Sequence, residues 1–365
     1  LVSPVEQGYG AAILTGLQAA SGEYVLMMDT DQEHPADLLN DLWEARDSAE
    51  VIIASRYAPG GHAVMPPLRR MFSKILNIVF SRGLDLHVQD MSSGFRIYKT
   101  RVIRELETEG KDFDILQEIL VKTLMAGYRI REIPFVYRST DNRLARVLKF
   151  GLAYLKTFAR LWRLRNSIAS ADYDARAYDA LMPPQRYWQR QRYKHITHLL
   201  AGKGQCLDVG CGSSRIIGSL PPGSVALDIS IRKLRFDRRY ERPMVQGSIV
   251  NLPVASRSFP CVLCSQVIEH VTRINVLSEL DRVLEPGGLL ILGTPDYARW
   301  QWIVIEWLYQ ILLPQAYADE HITHYTYSEL IGEFVEKRGY RLEAVQYILQ
   351  GELILALRKP SLSNG

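Results

Sequence analysis

Two acidic clusters, each closing a run of apolar residues and lying about two hundred residues apart, constrain this chain more than any other feature. Asp29-Thr30-Asp31 follows the run Tyr24 to Met28. Asp208-Val209-Gly210-Cys211-Gly212 closes a run beginning at Cys206, and a further carboxylate, Asp228, ends another short apolar run. A strand buried on both faces is a continuous apolar stretch, and open α/β sheets bind ligands beyond the carboxyl ends of such strands. Two pockets are therefore expected. The first has the character of a site for a metal-bound diphosphate, the second of a site for a nucleoside.

A length of 365 residues allows two domains, each with its own core, and 47% hydrophobic and 23% charged residues are globular proportions. The net charge of +4, from 44 basic and 40 acidic residues, is too small to identify a partner. Its distribution says more: from Arg138 to Arg165 there are eight Lys or Arg and one acid, Asp141. Such a stripe suits phosphates of lipid or nucleic acid. Cys206, Cys211, Cys261 and Cys264 read as buried thiols, since Cys261-x-x-Cys264 has no second pair to complete a zinc site. No signal peptide is evident, and the longest apolar run, Trp302 to Leu313, falls short of a membrane span and carries Glu306. The chain opens on Leu1, close to a glycine-rich motif, so a missing N-terminus is expected.

Periodicity predicts helices over 8–20, 35–45, 71–80, 102–106 and 115–125, with buried strands ending at Asp29 and over 51–54 and an extended segment over 130–137. A longer helix is predicted over 144–164, with Leu144, Leu148, Leu152, Leu155, Phe158 and Trp162 on one stripe and Arg146, Lys149, Lys156, Arg160 and Arg163 on another. That helix suits either a bilayer interface or packing on a sheet. Small polar residues around 166–171 suggest a boundary, giving a first domain over 1–165, a linker over 166–180 and a second domain over 181–360. In the second half, strand-like runs at 205–209, 225–227, 261–265 and 289–292 alternate with helical stretches, the pattern of a parallel sheet. Runs at 341–348 and 352–357 flank Gln350-Gly351, a hairpin signal.

A D-x-D pair at a strand end can hold a divalent ion against a diphosphate, although loops also carry such pairs as solvated turns. Context decides. Gln7 to Leu17, Ala20 to Pro35, Ser55-Arg56-Tyr57, Asp90 to Arg96, Gln117-Glu118, Gly127-Tyr128 and Glu132-Ile133-Pro134 form an ordered set. Over residues 1 to about 160 this set resembles family 2 glycosyltransferases of the dolichyl-phosphate mannosyltransferase type, which have a GT-A fold. The resemblance implies that Asp29 and Asp31, joined by Glu33, bind a divalent metal (Mg or Mn) and the phosphates of a nucleotide sugar. It also implies that Arg56 and Arg96 meet diphosphate or acceptor phosphate, with a salt bridge from Arg96 to Asp90 as the structural alternative. The first nucleotide-binding strands of that family have no counterpart here, so weak sugar-nucleotide binding is expected. The family's glycine-rich basic loop is altered to Arg138-Ser139-Thr140-Asp141-Asn142-Arg143.

Around the second pocket, Gly210 and Gly212 let the backbone pass close to a ligand, and Asp228 can accept from ribose hydroxyls. By themselves these residues suit NAD or S-adenosyl-L-methionine alike. Asn251-Leu252-Pro253, Gln266 to Val271, Arg282 to Leu289 and the closing hairpin together resemble class I S-adenosylmethionine-dependent methyltransferases over roughly 180–360. That likeness implies a Rossmann-like fold with methionine and ribose around Asp208, Gly210, Gly212 and Asp228, and adenine near Ser248 and Ile249. Ser248 stands where an acid is common, Ser214 replaces a third glycine and Pro260 a common aspartate. Among His270, His321 and His324, His270 ranks first as a catalytic base, against a structural role for all three. The run Trp300 to Pro314 falls where such enzymes place a lid, or else is a packing surface.

The combined expectation is an α/β chain in which a partial GT-A domain precedes a class I methyltransferase domain. It would be a bifunctional transferase of cell-surface glycan biosynthesis, peripheral at the inner face of the cell membrane. Its partners would be a nucleotide sugar, a polyprenyl-phosphate or lipid-linked glycan acceptor and an anionic membrane surface. Two rivals stand beside it: a methyltransferase whose first half is a docking module, and a nucleic-acid methyltransferase, disfavoured because the basic stripe lacks interleaved aromatics.

Overall fold

The computed structural model describes residues 8–28, 37–110, 112, 114–139, 151–312 and 321–361. Asp29, Asp31 and Glu33, and the first part of the helix expected over 144–164, lie outside the described residues. Backbone contacts divide the chain into Leu1–Asn166 and Ser167–Gly365.

The strands of the first unit are β1 (Tyr24–Met27), β2 (Val51–Ser55), β3 (His62–Val64), β4 (Arg96–Lys99), β5 (Ile130–Pro134) and β6 (Val136–Arg138). Four of them make a sheet in the order β1-β4-β2-β5, in which β4 runs antiparallel to both neighbours and β5 parallel to β2; β3 and β6 pair separately. Every residue of β2 is buried, as its unbroken apolar run predicts. Val51 and Ile53 join the cluster of Leu17, Phe80 and Ile115 on one face, while Ile52 and Ala54 join Leu38, Leu42 and Phe95 on the other. The strand β4 is not legible in the sequence. Its two apolar residues sit between Arg96 and Lys99, and pairing with β1 and β2 decides its conformation.

The helix Gly151–Arg165 corrects the predicted stripe. Its core side carries Tyr154, Phe158, Leu161 and Leu164, whereas Leu155 and Trp162 are exposed. Two of its cations are structural. Arg165, fully buried, donates to the carbonyls of Leu84 and Asp85, and Arg160 bonds Glu118 at 2.9 Å. The helix Pro67–Gly83 has no acidic residue and leaves Leu68, Met71, Ile75, Ile78 and Val79 exposed beside Arg70, Lys74 and Arg82.

The second unit contains β7 (Cys206–Val209), β8 (Val225–Asp228), β9 (Met244–Gln246), β10 (Phe259–Ser265), β11 (Leu284–Pro295), β12 (Arg341–Ile348) and β13 (Glu352–Arg358). They form one sheet in the order β12-β13-β11-β10-β7-β8-β9. From β9 to β11 neighbouring strands are parallel; β13 is antiparallel to both β11 and β12. The expected hairpin forms one residue early: Leu349 and Gln350 take the two positive-φ turn positions, and Gly351 donates back to Ile348. All four cysteines are buried free thiols, with Cys261 in the core on one face and Cys264 on the other. Their side chains therefore cannot act as a pair.

The segment expected as a linker is built into this unit. Ser170, Ala171, Asp172 and Tyr173 are buried, and a short helix, Tyr173–Ala177, precedes the long helix Pro183–Leu200, which buries Trp188, Ile196 and Leu200. The small residues that read as a tether serve close packing instead. Among the described residues no helix is long and apolar enough to cross a membrane.

Candidate functional site

In the first unit, β1 ends at Met27, opposite Arg96 in the register, one residue before the described chain breaks off at Met28. Arg96 is wholly buried and donates to the carbonyls of Ser93 at 2.7 Å, Leu116 at 2.8 Å and Met91 at 2.8 Å. It ties the loop before β4 to the helix Asp114–Met125 and has no face for a phosphate. The expectation of phosphate contact at Arg96 is corrected accordingly. The salt bridge to Asp90 belongs to Arg56, through a bidentate fork of 2.7 and 2.6 Å, with a further bond to Ser92. Burial disfavours both charges, but their mutual attraction outweighs it: Asp90 is held below the usual carboxylate range and Arg56 above its ordinary value. Arg56 is thus neutralised by the protein itself. Glu132 completes the network by accepting from the backbone N–H of Gln89 and Asp90.

In the second unit, the chain leaves β7 through a tight bend. Gly210 and Gly212 both have positive φ, of 70° and 59°. A Cβ on Gly210 would stand 2.3 Å from Val267 Cγ2, so that position needs glycine for close approach as well as for conformation. At Gly212 the Cβ would meet only the tip of Asp174, and the positive φ is what favours glycine. Asp228, at the carboxyl end of β8, accepts from Gly212 N–H at 2.8 Å and from Ser230 N–H at 2.7 Å. Its carboxylate is therefore held against the glycine bend. A short 3₁₀ turn, Arg215–Ser219, follows the bend, with Ser214 as its cap.

Asp208 lies beneath the bend with 4% of its surface exposed, and burial together with the nearby Asp228 pushes its carboxyl up to about 7. Asp174 escapes a reading of the sequence because it sits in the supposed linker. It accepts from Ser213 N–H at 3.1 Å and from Ser213 Oγ at 3.2 Å, and pairs with Lys233 at 3.5 Å. Burial works against its charge, yet Lys233 and Ser213 hold it below the ordinary carboxylate range. Ser248 forms a one-bridge turn with Asn251 after β9, while Ile249 is turned into the core at 6% exposure. Ile229, beside Asp228, is 70% exposed.

His270 ends a short 3₁₀ turn, Ile268–His270, whose preceding residue, Val267, packs on Gly210. Its ring lies 5.0 Å from that of His321, centroid to centroid. His321 Nδ1 meets Tyr297 Oη at 2.6 Å and Glu306 Oε1 at 3.0 Å, and His324 stacks on Tyr297. Burial pushes His321 below the ordinary histidine range, against an opposing pull from Glu306. Glu269 is fully buried, and burial pushes its carboxyl up to about 8. The helix Trp300–Leu312 buries Trp302 but exposes Trp300, Ile303, Val304 and Trp307.

Comparison with known proteins assigns the two halves separately. Residues 1–107 match the family model described as glycosyl transferase family 2, and residues 207–292 match the one described as a methyltransferase domain. The chain is 32% identical over 136 residues to dolichol-phosphate mannosyltransferase of Pyrococcus furiosus, covering 36% of this chain and 38% of that protein. It is 30% identical over 172 residues to polyprenol monophosphomannose synthase of Mycolicibacterium smegmatis, covering 45% and 65%. The chain thus spans less than two thirds of the length of either relative. Among solved structures, a SAM-dependent methyltransferase from Thermotoga maritima aligns with a TM-score of 0.39 at 19% identity, over 48% of this chain and 94% of that one.

Proposed function

We propose that this chain, in which a glycosyltransferase family 2 domain is joined to a methyltransferase domain, is a bifunctional transferase of cell-surface glycan assembly. The first half moves a sugar from a nucleotide sugar to a polyprenyl-phosphate acceptor, and the second methylates the glycan or its lipid-linked precursor, at the inner face of the cell membrane. The names of the two mannosyltransferase relatives support the first acceptor. Asp29, Asp31 and Glu33 would hold a divalent metal, whose charge offsets that of the departing nucleoside diphosphate.

For methyl transfer, the observation that carries the reading is Asp228 locked on the Gly212 amide beyond β7 and β8. The strand order reverses beside it, between β7 and β10, and open α/β sheets bind nucleotides at such a point. S-adenosyl-L-methionine supplies the methyl group when bound. Asp228 keeps lone pairs beyond the two amides it already caps and can accept from the ribose hydroxyls. Asp208 faces the methionine ammonium, Ser248 and Ile249 border the adenine, and the glycine bend lets the backbone approach. His270 takes the acceptor proton.

The exposed helix Pro67–Gly83, rather than Gly151–Arg165 alone, is the better membrane surface, because its apolar side chains are uncovered between cations. With Arg160 paired and Arg165 buried, the basic stripe is too depleted to favour nucleic acid. One experiment tests the whole: polyprenyl phosphate in anionic vesicles, supplied with labelled nucleotide sugar, manganese and methyl-labelled S-adenosylmethionine. Both labels are expected in the lipid fraction. Asp29→Ala with Asp31→Ala should lose the sugar label and keep methyl transfer to added lipid-linked glycan. No methyl label in either lipid sinks the shared pathway, and sugar transfer surviving the double substitution favours the first half as a docking module.

A further inference from the structure

In the second unit, three side chains converge from two separate segments, which are joined where the backbone N–H groups of Ile322 and Thr323 donate to the Glu269 carbonyl. Glu269 and His270 come from the turn after β10, and His321 comes from the segment before the helix Tyr327–Ile331. Each offers a ligand atom, and these atoms lie within 4.8 Å of one another. Glu269 is the telling member. It has no exposed surface, its Oε2 accepts from Thr294 Oγ1 at 3.2 Å, and its Oε1 is buried with no hydrogen-bond partner. A buried carboxyl oxygen left unmet is costly, and beside two imidazoles a cation is a chemically suited partner for it.

We propose that Glu269, His270 and His321 bind one divalent transition-metal cation, distinct from any ion held by Asp29 and Asp31. Two imidazoles and a carboxylate suit manganese, cobalt or zinc better than magnesium, which prefers oxygen ligands throughout. Cations of this kind bond at about 2.0–2.2 Å, so the three side chains need to draw together by no more than about 2 Å. The surroundings match. Tyr297 and Glu306 hold Nδ1 of His321, and Thr294 steadies the second oxygen of Glu269; such outer partners fix the orientation of metal ligands.

Three protein ligands leave coordination positions for oxygen atoms from outside. Val267, three residues before His270, touches Gly210, so the cation would lie close to the proposed cofactor bend. Gln266, at a positive φ of 59°, and Glu306 line a neighbouring cavity of about 20 Å³ with Trp188, Arg192 and Trp302. The occupant fitting the open positions is a hydroxyl of the methyl acceptor, which the cation would orient and make more acidic. With its lone pair on the cation, His270 would no longer take the acceptor proton, which would pass to water instead; that role rests on the methyl-transfer reading, whereas the cation site does not.

The test uses the full chain carrying Asp29→Ala and Asp31→Ala, stripped with chelator, so that only the second half is counted. Cobalt is titrated and followed by its visible absorption, and S-adenosylmethionine binding is measured separately by calorimetry. One cobalt per chain is expected, with affinity at least tenfold weaker in Glu269→Gln and in His321→Ala, and a smaller loss in Glu306→Gln. Cofactor binding retained in those variants reports that they fold. Absence of a cobalt spectrum in the parent, or unchanged affinity in both ligand variants, overturns the site. Cobalt binding without S-adenosylmethionine binding would support the site and overturn the methyl-transfer reading instead.

Discussion

The two units differ in how completely their buried charge is matched. In the first, every buried ionic group described above has its partner within the unit. Asp90 faces Arg56, Glu118 faces Arg160 and Lys122, and Arg96 is enclosed by carbonyls. Against the opposing effect of burial, the carboxyls of Asp90 and Glu118 are drawn below their ordinary range. In the second unit, burial pushes Asp208 to about 7, Glu269 to about 8 and Asp237 to about 9, and both oxygens of Asp237 lack a hydrogen-bond partner. Matched charges hold a fold together. Unmatched ones raise its free energy, and that makes them candidates for a ligand to supply the missing partner.

The strongest way to break this comparison is at the glycine bend. Gly210→Ala puts a methyl group 2.3 Å from Val267 in a backbone conformation that disfavours it. S-adenosylmethionine affinity is expected to fall by more than about a hundredfold in calorimetry. Unchanged affinity would show that the bend is not the cofactor site. In the first unit the corresponding change is Arg96→Met, which removes the donor from three buried carbonyls at once. About 3–5 kcal/mol of that unit's stability should go, read as a lower urea midpoint. A loss under about 1 kcal/mol would mean that the carbonyls find water instead.

Asp208 sharpens the contrast through pH. Its carboxyl titrates near 7 when folded against 3.8 for a fully solvated aspartate, so between those values the folded chain binds more protons than the unfolded one. The contribution of this group to stability therefore falls as pH rises from about 4 to about 7. Asp208→Asn should remove that slope from urea midpoints measured across the window. A bound ammonium needs the ionised form, so S-adenosylmethionine affinity should tighten from pH 6 to 8 in the parent and stay flat in the variant. The smallest expected effect is at the hairpin, where Leu349 occupies a left-handed position that asparagine tolerates better. Leu349→Asn should raise stability by about 0.5–1 kcal/mol, measured as a higher melting temperature.

Legibility in the sequence followed the reach of the interactions involved. The strands β2, β7, β8 and β12 end within about one residue of their predicted limits, because a continuous or alternating apolar pattern is local information. The strand β4 was hidden, since two apolar residues between cations form a strand only once β1 and β2 are beside them. The stripe on Gly151–Arg165 was misjudged by about one position, because Leu161 and Arg165 are claimed by a core that the helix cannot see by itself.

The same division runs through the candidate sites. Gly210, Gly212 and Asp228 were readable because a strand end followed by glycines and a later carboxylate is a pattern in one dimension, and the family likeness reinforced it. Asp174, in a segment that reads as a tether, and the meeting of Glu269 with His321 across about fifty residues were not. Residue types and their local spacing determined that this chain carries two α/β enzyme domains with acidic strand ends. Which charges neutralise one another and which are left unmatched was decided only by tertiary packing, because that depends on distances between segments remote in the chain.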